Sequence, residues 1–463
     1  MTQADPLAAL RSRSYVALLV FAAIIGVPIS AAAYGFLKLA NQLQVWAYQD
    51  LPSGLGFERP PAWWPLPLLA LGGLLVALAI RHLPGRGGHS PAEGFSAHGA
   101  PAPAELPGIA LAALATLGSG AVLGPEAPLI ALGGGLGVYA VRLARRDAPQ
   151  RVAAVVAAAG SFAAISTLLG SPIIGAFLLM EAAGLAGPTM SLVLVPGLLA
   201  AGVGTLIFIG LDAWTGFGTF SLSIPGLPPF DRPDVVEFGW AIAIGLAAAL
   251  LGTAIRRLAL LLRPHVERRL LLLIPAAGLL VGGLAIAYVE ISGKGNADVL
   301  FSGQNQLPSL LTHAAGYSVG TILLLLACKG LAYGVSLSGF RGGPVFPSLF
   351  LGAAGGIGLS HLPGLPMVAG VAMGIGAMCV AMLGLPLTSV LLATLLLLSD
   401  GLRVMPLVIV AVVVSFVVST RLRPVEARAP EPSPATAATQ PAPPAPEAEG
   451  AEAPVPLPQS PRR

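Results

Sequence analysis

The chain has 463 residues, of which 55% are hydrophobic and only 10% charged, and its formal net charge is +4. Soluble domains carry about 25% charged residues, so this composition excludes a water-soluble globular protein and predicts an integral membrane protein. The positive charge comes mostly from loop arginines and gives no sign of nucleic-acid binding. Cys328 and Cys379 both lie in apolar runs, which excludes a disulfide framework.

Continuous apolar runs predict helices rather than the alternating strands of a membrane barrel. Several runs are shorter than the ~20 residues that a full membrane span requires, and 58 Gly and 43 Pro residues punctuate the chain. We therefore expect some helices to enter the membrane and end partway, where protein or a polar cavity covers the free backbone. In chain order the segments are 15–40, 64–83, 107–123, 127–144, 152–168, 171–185, 189–211, 237–261, 270–290, 316–336, 345–358, 367–383, 387–399 and 404–420.

The two ends differ from this apolar middle. Residues 1–14 form a short polar segment, and the long run that follows predicts a first spanning helix rather than a cleavable signal peptide. Residues 422–463 are rich in Pro, Ala and Glu and predict a disordered tail. Arginine clusters place several loops and both termini on the cytoplasmic side of the cell membrane. These clusters lie at 81–86, 142–151, 256–269 and 421–428.

Two pairs of segments indicate an internal repeat. GPEAPLIALGGGLG at 124–137 and GPVFPSLFLGAAGGIG at 343–358 both begin with G-P-x-x-P, at an offset of 219 residues. SPIIGAFLLMEA at 171–182 and LPLTSVLLATLL at 385–396 follow in the same order, at an offset of 214. We interpret the chain as two repeat halves, about 15–211 and 237–421. Transporters built this way place their sites near the bilayer midplane, where broken helices meet.

The G-P-x-x-P segments predict two helix starts, each with proline at the first helical position. A helix N-terminus has backbone N–H groups without partners and roughly +0.5 elementary charge, so several such ends form an anion site without a fixed cation. Glu126 is the only charge within 118–137. Carboxylates inside a membrane are costly and usually functional.

These motifs resemble those of the ClC family of chloride channels and proton/chloride antiporters. LGSGAVLGPEAPLIALGGGLG resembles the segment that carries the family's gating glutamate, and SLSGFRGGPVFPSLFLGAAGG resembles its SG-x-x-GG-x-F-x-P segment. The resemblance implies an all-α, inverted-repeat membrane fold, a homodimer in the bilayer and one anion pathway per subunit. It also implies chloride transport, possible exchange for protons, and Glu126 as the gate, with no cofactor and no metal.

The same resemblance supplies the expected anion-binding positions. They are Gly88, Ser90, Gly124, Pro125, Ala127, Gly343, Val345 and Phe346.

Several of these positions depart from the family pattern. Pro125 replaces a basic residue, Pro344 adds a second proline, and Val345 stands where the family has Phe. Because proline has no N–H, we expect weaker or altered anion selectivity. GGHSPAEGF at 87–95 matches the family's serine loop only loosely, with Gly88 at the serine position and Ser90 as the nearby hydroxyl.

Two further residues of the family pattern are missing or displaced in this chain. The stretch SDGLRVMPLV at 399–408 contains no counterpart of the pore tyrosine. The inner proton glutamate aligns with Ala182, and Glu181 beside it is the candidate for an inner proton path or a helix-capping group. An antiporter, a proton-uncoupled channel, and a transporter of fluoride or nitrate therefore all stay open.

Functions from other classes of protein have less support. The chain contains no H-E-x-x-H or G-x-S-x-G motif, so an intramembrane enzyme is not expected. A structural or sensor protein without transport stays open because several filter residues differ.

Overall fold

The computed structural model describes residues 11–95, 99–184, 188–216, 230, 232–397 and 400–423. One compact unit ends at Leu422, and Arg423 begins the second. The predicted disordered tail beyond Arg423 and residues 1–10 of the predicted N-terminal segment therefore lie outside the described residues.

The described structure is built from helices, and we number the α-helices of six or more residues in chain order. They are α1 (Arg13–Val45), α2 (Pro65–His82), α3 (Leu106–Ser119), α4 (Glu126–Ala144), α5 (Gln150–Leu169), α6 (Pro172–Ala182), α7 (Pro188–Thr215), α8 (Val235–Arg268), α9 (Leu270–Ser292), α10 (Leu307–Thr312), α11 (Val319–Gly339), α12 (Val345–Leu359), α13 (Met367–Leu383), α14 (Pro386–Leu396) and α15 (Gly401–Leu422).

Each predicted apolar segment corresponds to one of these helices. Among the described residues, nine helical stretches are long and apolar enough to cross a membrane. Helices α6, α12, α13 and α14 are apolar but have only 11 to 17 residues, as the short runs predicted. The six-residue α10 lies between two of the predicted apolar segments.

The internal repeat extends to the ends of equivalent helices. Gly170 ends α5 in the left-handed conformation (φ +62°), and Gly384 ends α13 in the same way (φ +73°). A glycine adopts this conformation without the steric cost of a Cβ. Pro172 and Pro386 then occupy the first turns of α6 and α14. Both pairs are 214 residues apart, which is the offset seen in the sequence.

Equivalent glycines also hold equivalent helix pairs together. A Cβ on Gly133 of α4 would overlap the carbonyl of Gly160 of α5, and the converse holds for Gly160. Gly352 of α12 and Gly374 of α13 make the same reciprocal contact. Backbones approach this closely only where neither residue has a side chain. The repeat therefore fixes the packing of the two equivalent helix pairs as well as their order.

Candidate functional site

The two G-P-x-x-P segments meet at a single point. Gly124 and Gly343 form an isolated antiparallel bridge, in which the Gly124 N–H donates to the Gly343 carbonyl at 2.8 Å and the Gly343 N–H donates back at 2.6 Å. The two glycines are equivalent positions of the repeat. Reciprocal antiparallel pairing of equivalent residues is what a local twofold axis produces, so the two motifs are related in an inverted manner here.

A second pair of hydrogen bonds repeats this relation. The Val122 N–H donates to the Ser336 hydroxyl at 3.1 Å, and the Arg341 N–H donates to the Thr116 hydroxyl at 3.1 Å. Thr116 lies near the end of α3, and Ser336 lies near the end of α11. Each loop is thus anchored on the helix that precedes the other loop, which fixes the directions of α4 and α12.

Glu126 lies at this crossing and is completely buried. Its Oε1 accepts a hydrogen bond from the backbone N–H of Phe346 at 2.8 Å, and Oε2 has no hydrogen-bond partner among the described residues. The carboxylate lies directly against Gly124 and Gly343, where a Cβ would overlap it. It therefore occupies the N-terminus of α12, a place where backbone donors and the helix dipole favour an anion.

The two prolines sit one residue earlier than predicted. Pro125 and Pro344 are N-cap residues with φ/ψ of −84°/0° and −92°/−4°, and the Pro125 carbonyl already accepts from the Leu129 N–H at 3.0 Å. An N-cap residue precedes the first helical position and accepts the first intrahelical bond through its own carbonyl. The prediction of proline at the first helical position was wrong by this one residue.

This placement decides how many donors each helix start offers. The second proline of each motif, Pro128 or Pro347, falls at the third helical position and has no N–H. The first-turn N–H groups of α4 without an intrahelical partner are therefore those of Glu126 and Ala127. Those of α12 belong to Val345 and to Phe346, whose N–H already donates to Glu126 Oε1. Gly124, Pro125, Ala127, Gly343, Val345 and Phe346 are thus brought together around Glu126.

A tyrosine that the sequence analysis did not select lies behind the start of α12. The fully buried Tyr333 donates from its hydroxyl to the Pro344 carbonyl at 2.9 Å, and the Ser348 hydroxyl donates to the same carbonyl at 2.6 Å. These two bonds hold the helix start in place. Lys329, Tyr333 and Ser336 follow one face of the apolar helix α11, and this polar stripe was the sequence signal that could have revealed the tyrosine.

The predicted serine-loop positions occupy a different environment. Gly88 has φ +88° and packs against Ile109 of α3. Directly after Ser90, Pro91–Glu93 forms a short turn, and Glu93 pairs with Arg263 of α8. Among the contacts of the described residues, none joins Gly88 or Ser90 to Glu126.

Arg341 lies between this turn and the Glu126 crossing. Its side chain packs against Gly87, and one guanidinium nitrogen faces the carbonyls of Gly339 and Phe340 at 3.4 and 3.3 Å. Its Nε is buried and makes no hydrogen bond within the described part of the chain. Arg341 is therefore a packed, partly buried cation beside the site rather than a freely solvated loop residue.

Glu181 is used to cap a helix. Its Oε1 accepts from the Leu387 N–H at 2.9 Å, and its Oε2 accepts from the N–H and hydroxyl of Thr388 at 2.8 and 2.7 Å. Leu387 and Thr388 lie in the first turn of α14, where free N–H groups and the helix dipole favour a carboxylate. The carboxylate thereby links α6 to its repeat counterpart.

Paired helices whose N-termini meet at one buried carboxylate are typical of a multi-pass membrane transport protein. The protein family described as "Voltage gated chloride channel" matches residues 72–420. The chain belongs to this family, whose members transport anions and are not enzymes.

Relatives and solved structures agree with this assignment. The chain is 30% identical over 369 residues to the "Putative ion-transport protein YfeO" of Escherichia fergusonii, which covers 77% of this chain and 82% of that protein. The fold is similar to that of a slow cyanobacterial Cl⁻/H⁺ antiporter, with a TM-score of 0.70 at 21% identity over 88% of this chain and 94% of the other. It is also similar to that of a CLC-type fluoride/proton antiporter, with a TM-score of 0.66 at 19% identity over 88% and 96%.

Proposed function

We propose that the protein transports chloride through the crossing at Glu126, and that the Glu126 carboxylate is a gate that exchanges a proton for the anion. The observation that carries the proposal is the bond from the Phe346 N–H to Oε1 of a fully buried carboxylate. In this arrangement the carboxylate stands where a permeating anion would bind. It must leave before the anion can use the same donors.

The second carboxylate oxygen supports a role for protons. Oε2 is buried and makes no hydrogen bond within the described residues, so the ionised group is only partly stabilised in this position. Protonation removes the charge and weakens the attraction to the start of α12, which frees that helix end for chloride. Return of the ionised carboxylate expels the anion, and this alternation couples the two ions.

Departures from the family pattern favour testing other anions together with chloride. With two N–H groups that lack an intrahelical partner in the first turn of each helix, the site offers few donors, and fluoride or nitrate would use them differently from chloride. A channel without proton coupling is the second alternative, because Glu181 already caps α14. Both alternatives are decided by the same flux experiment.

The experiment is a reconstitution into liposomes with chloride efflux and external pH recorded together. We expect chloride to move with opposing proton movement in the parent protein, and Glu126→Gln to lose proton movement while retaining chloride flux. Glu237→Gln is the matched control, since Glu237 is also buried but belongs to the N-terminal capping box of α8. Chloride flux without protons in the parent would refute coupling, and flux of another anion alone would refute chloride as the substrate.

The homodimer and the cytoplasmic position of both termini are part of the same proposal. They rest on the family resemblance and on the distribution of arginines along the sequence. Crosslinking in native membranes tests the homodimer. Labelling of single cysteines introduced near residues 12 and 425 from each side of the membrane tests the orientation.

A further inference from the structure

Lys329 lies inside the protein, and its ammonium group is held by backbone carbonyls and one aromatic ring. Its side chain is completely buried in α11. The ammonium group donates toward four consecutive carbonyls, those of Asp298, Val299, Leu300 and Phe301, at 2.9, 3.1, 3.1 and 3.3 Å. The ring of Phe350 in α12 covers another side, with its centroid 4.4 Å from Nζ. We refer to these four carbonyls and this ring as the lysine cage.

The cage has the chemistry of a site for a small cation. None of the ion pairs of the described residues includes Lys329. The nearby Asp298 carboxylate accepts instead from the hydroxyls of Tyr288 and Tyr317, at 3.1 and 3.0 Å. Burying an ammonium group without hydrogen-bond acceptors around it would be very costly in free energy. Carbonyl dipoles here replace its hydration shell, as carbonyl rings do for cations in selective pores.

Closing the cage imposes an uncommon backbone conformation. Phe301 has φ +58°, a left-handed conformation that is unfavourable for a bulky residue with a Cβ. In this conformation the Phe301 carbonyl faces Lys329, and its N–H donates to the Gly120 carbonyl at 2.9 Å. Gly120 ends α3 and opens the loop that leads to Gly124 and Glu126.

Two further contacts extend the cage to both sides of the site. The Phe301 ring meets the Tyr48 ring edge-on at 5.0 Å, and the Tyr48 hydroxyl donates to the Ser119 carbonyl at 2.6 Å. On the other side, Phe350 lies one helical turn after Phe346, whose N–H holds the Glu126 carboxylate. The lysine cage therefore connects the loop before Glu126 with the helix whose N-terminus binds it.

We propose that Lys329 is a positioning residue for the anion site, acting as a built-in cation that gathers residues 298–301 and thereby fixes the loop before Glu126 against the start of α12. The effect on transport rests on the proposed function. The effect on backbone order does not depend on any transport activity.

Hydrogen exchange of the purified full-length protein tests this role directly. Lys329→Met should raise the exchange rates in peptides covering 296–303 and 118–125 by about tenfold, while peptides within 150–169 keep their rates. Lys329→Arg retains a charged donor and should restore most of the protection. Lys294→Met is the matched control, because Lys294 lies in the same region and its ammonium group stacks on the Tyr317 ring, 4.5 Å from the centroid.

Chloride flux in liposomes gives the second readout. Lys329→Met should lose about tenfold in flux, Lys329→Arg should recover most of it, and Lys294→Met should match the parent. A parent without anion flux would refute the proposed function and leave the exchange result as the measure of positioning. Unchanged exchange and flux in Lys329→Met would overturn the positioning role.

A cation rescue covers the case in which the variants do not fold. Lys329→Ala leaves the carbonyls facing a space that methylammonium fits, whereas tetramethylammonium has no N–H donor. We expect folded protein, or a higher unfolding temperature, in methylammonium chloride but not in tetramethylammonium chloride. Equal behaviour in both salts would overturn the assignment of a cation cage.

Discussion

Replacing Glu181 by alanine removes all the acceptors that it supplies to the start of α14. The carboxylate accepts from the N–H groups of Leu387 and Thr388 and from the Thr388 hydroxyl, at 2.7 to 2.9 Å. Loss of a helix N-cap costs about 0.5–2 kcal/mol, and a partly buried charge on the helix dipole contributes up to ~2 kcal/mol. Because these terms overlap, we expect the free energy of unfolding to fall by about 2 kcal/mol.

Thermal unfolding in detergent, followed by flux measurement, separates capping from proton transfer. Glu181→Ala should lower the unfolding midpoint by a few degrees, and Glu181→Gln should lower it about half as much, since one side-chain oxygen remains as an acceptor. Glu290→Ala, on an exposed position of α9, is the control and should leave the midpoint unchanged. The ratio of protons to chloride should be the same in all three variants and the parent.

The reasoning would be refuted by the opposite pattern. An unchanged unfolding midpoint together with a lost proton-to-chloride ratio in Glu181→Gln would show that this carboxylate carries protons. In that case the hydrogen bonds to α14 would contribute little to stability.

Three further substitutions test the geometry around Glu126. Gly343→Ala places a methyl group where the Glu126 carboxylate lies. We therefore expect the Glu126 side chain to be displaced and chloride efflux to become less dependent on pH. The control is Gly355→Ala, whose methyl group meets open space in α12 and which should behave as the parent. Gly352→Ala forces a Cβ into the backbone of α13 and should reduce the yield of folded protein in size-exclusion chromatography, again relative to Gly355→Ala. Pro344→Ile restores an N–H beside the start of α12 and should change the chloride-to-nitrate flux ratio about tenfold. This factor corresponds to about 1.4 kcal/mol, the net free energy of one hydrogen bond. An unchanged ratio would show that the N-cap position does not face the anion.

Helix order and type could be read from the sequence, because continuous apolar runs of these lengths have few alternatives to a buried or membrane helix. The first apolar run predicted 15–40, and α1 spans Arg13–Val45. The repeat was also visible, since G-P-x-x-P recurs with its following glycines. These glycines are required wherever two backbones touch, so local sequence and packing agree.

The starts of α4 and α12 were predicted only to within one residue. Proline fits both the N-cap and the first helical position, and the choice depends on which carbonyl accepts the first helical bond. That choice was made by the antiparallel contact between Gly124 and Gly343, which joins residues 219 positions apart. No local pattern specifies such a contact.

The sequence by itself determined the membrane class, the succession of helices, the twofold repeat and the single carboxylate at a helix start, because each follows from composition or short-range pattern. Only the tertiary structure decided the partners of the buried charges. Glu126 accepts a hydrogen bond from the Phe346 N–H, and Glu181 accepts from the first turn of α14. Lys329 donates to four carbonyls of a distant turn. A charge removed from water takes whichever dipoles the packed helices bring to it, and that depends on the fold of the whole chain.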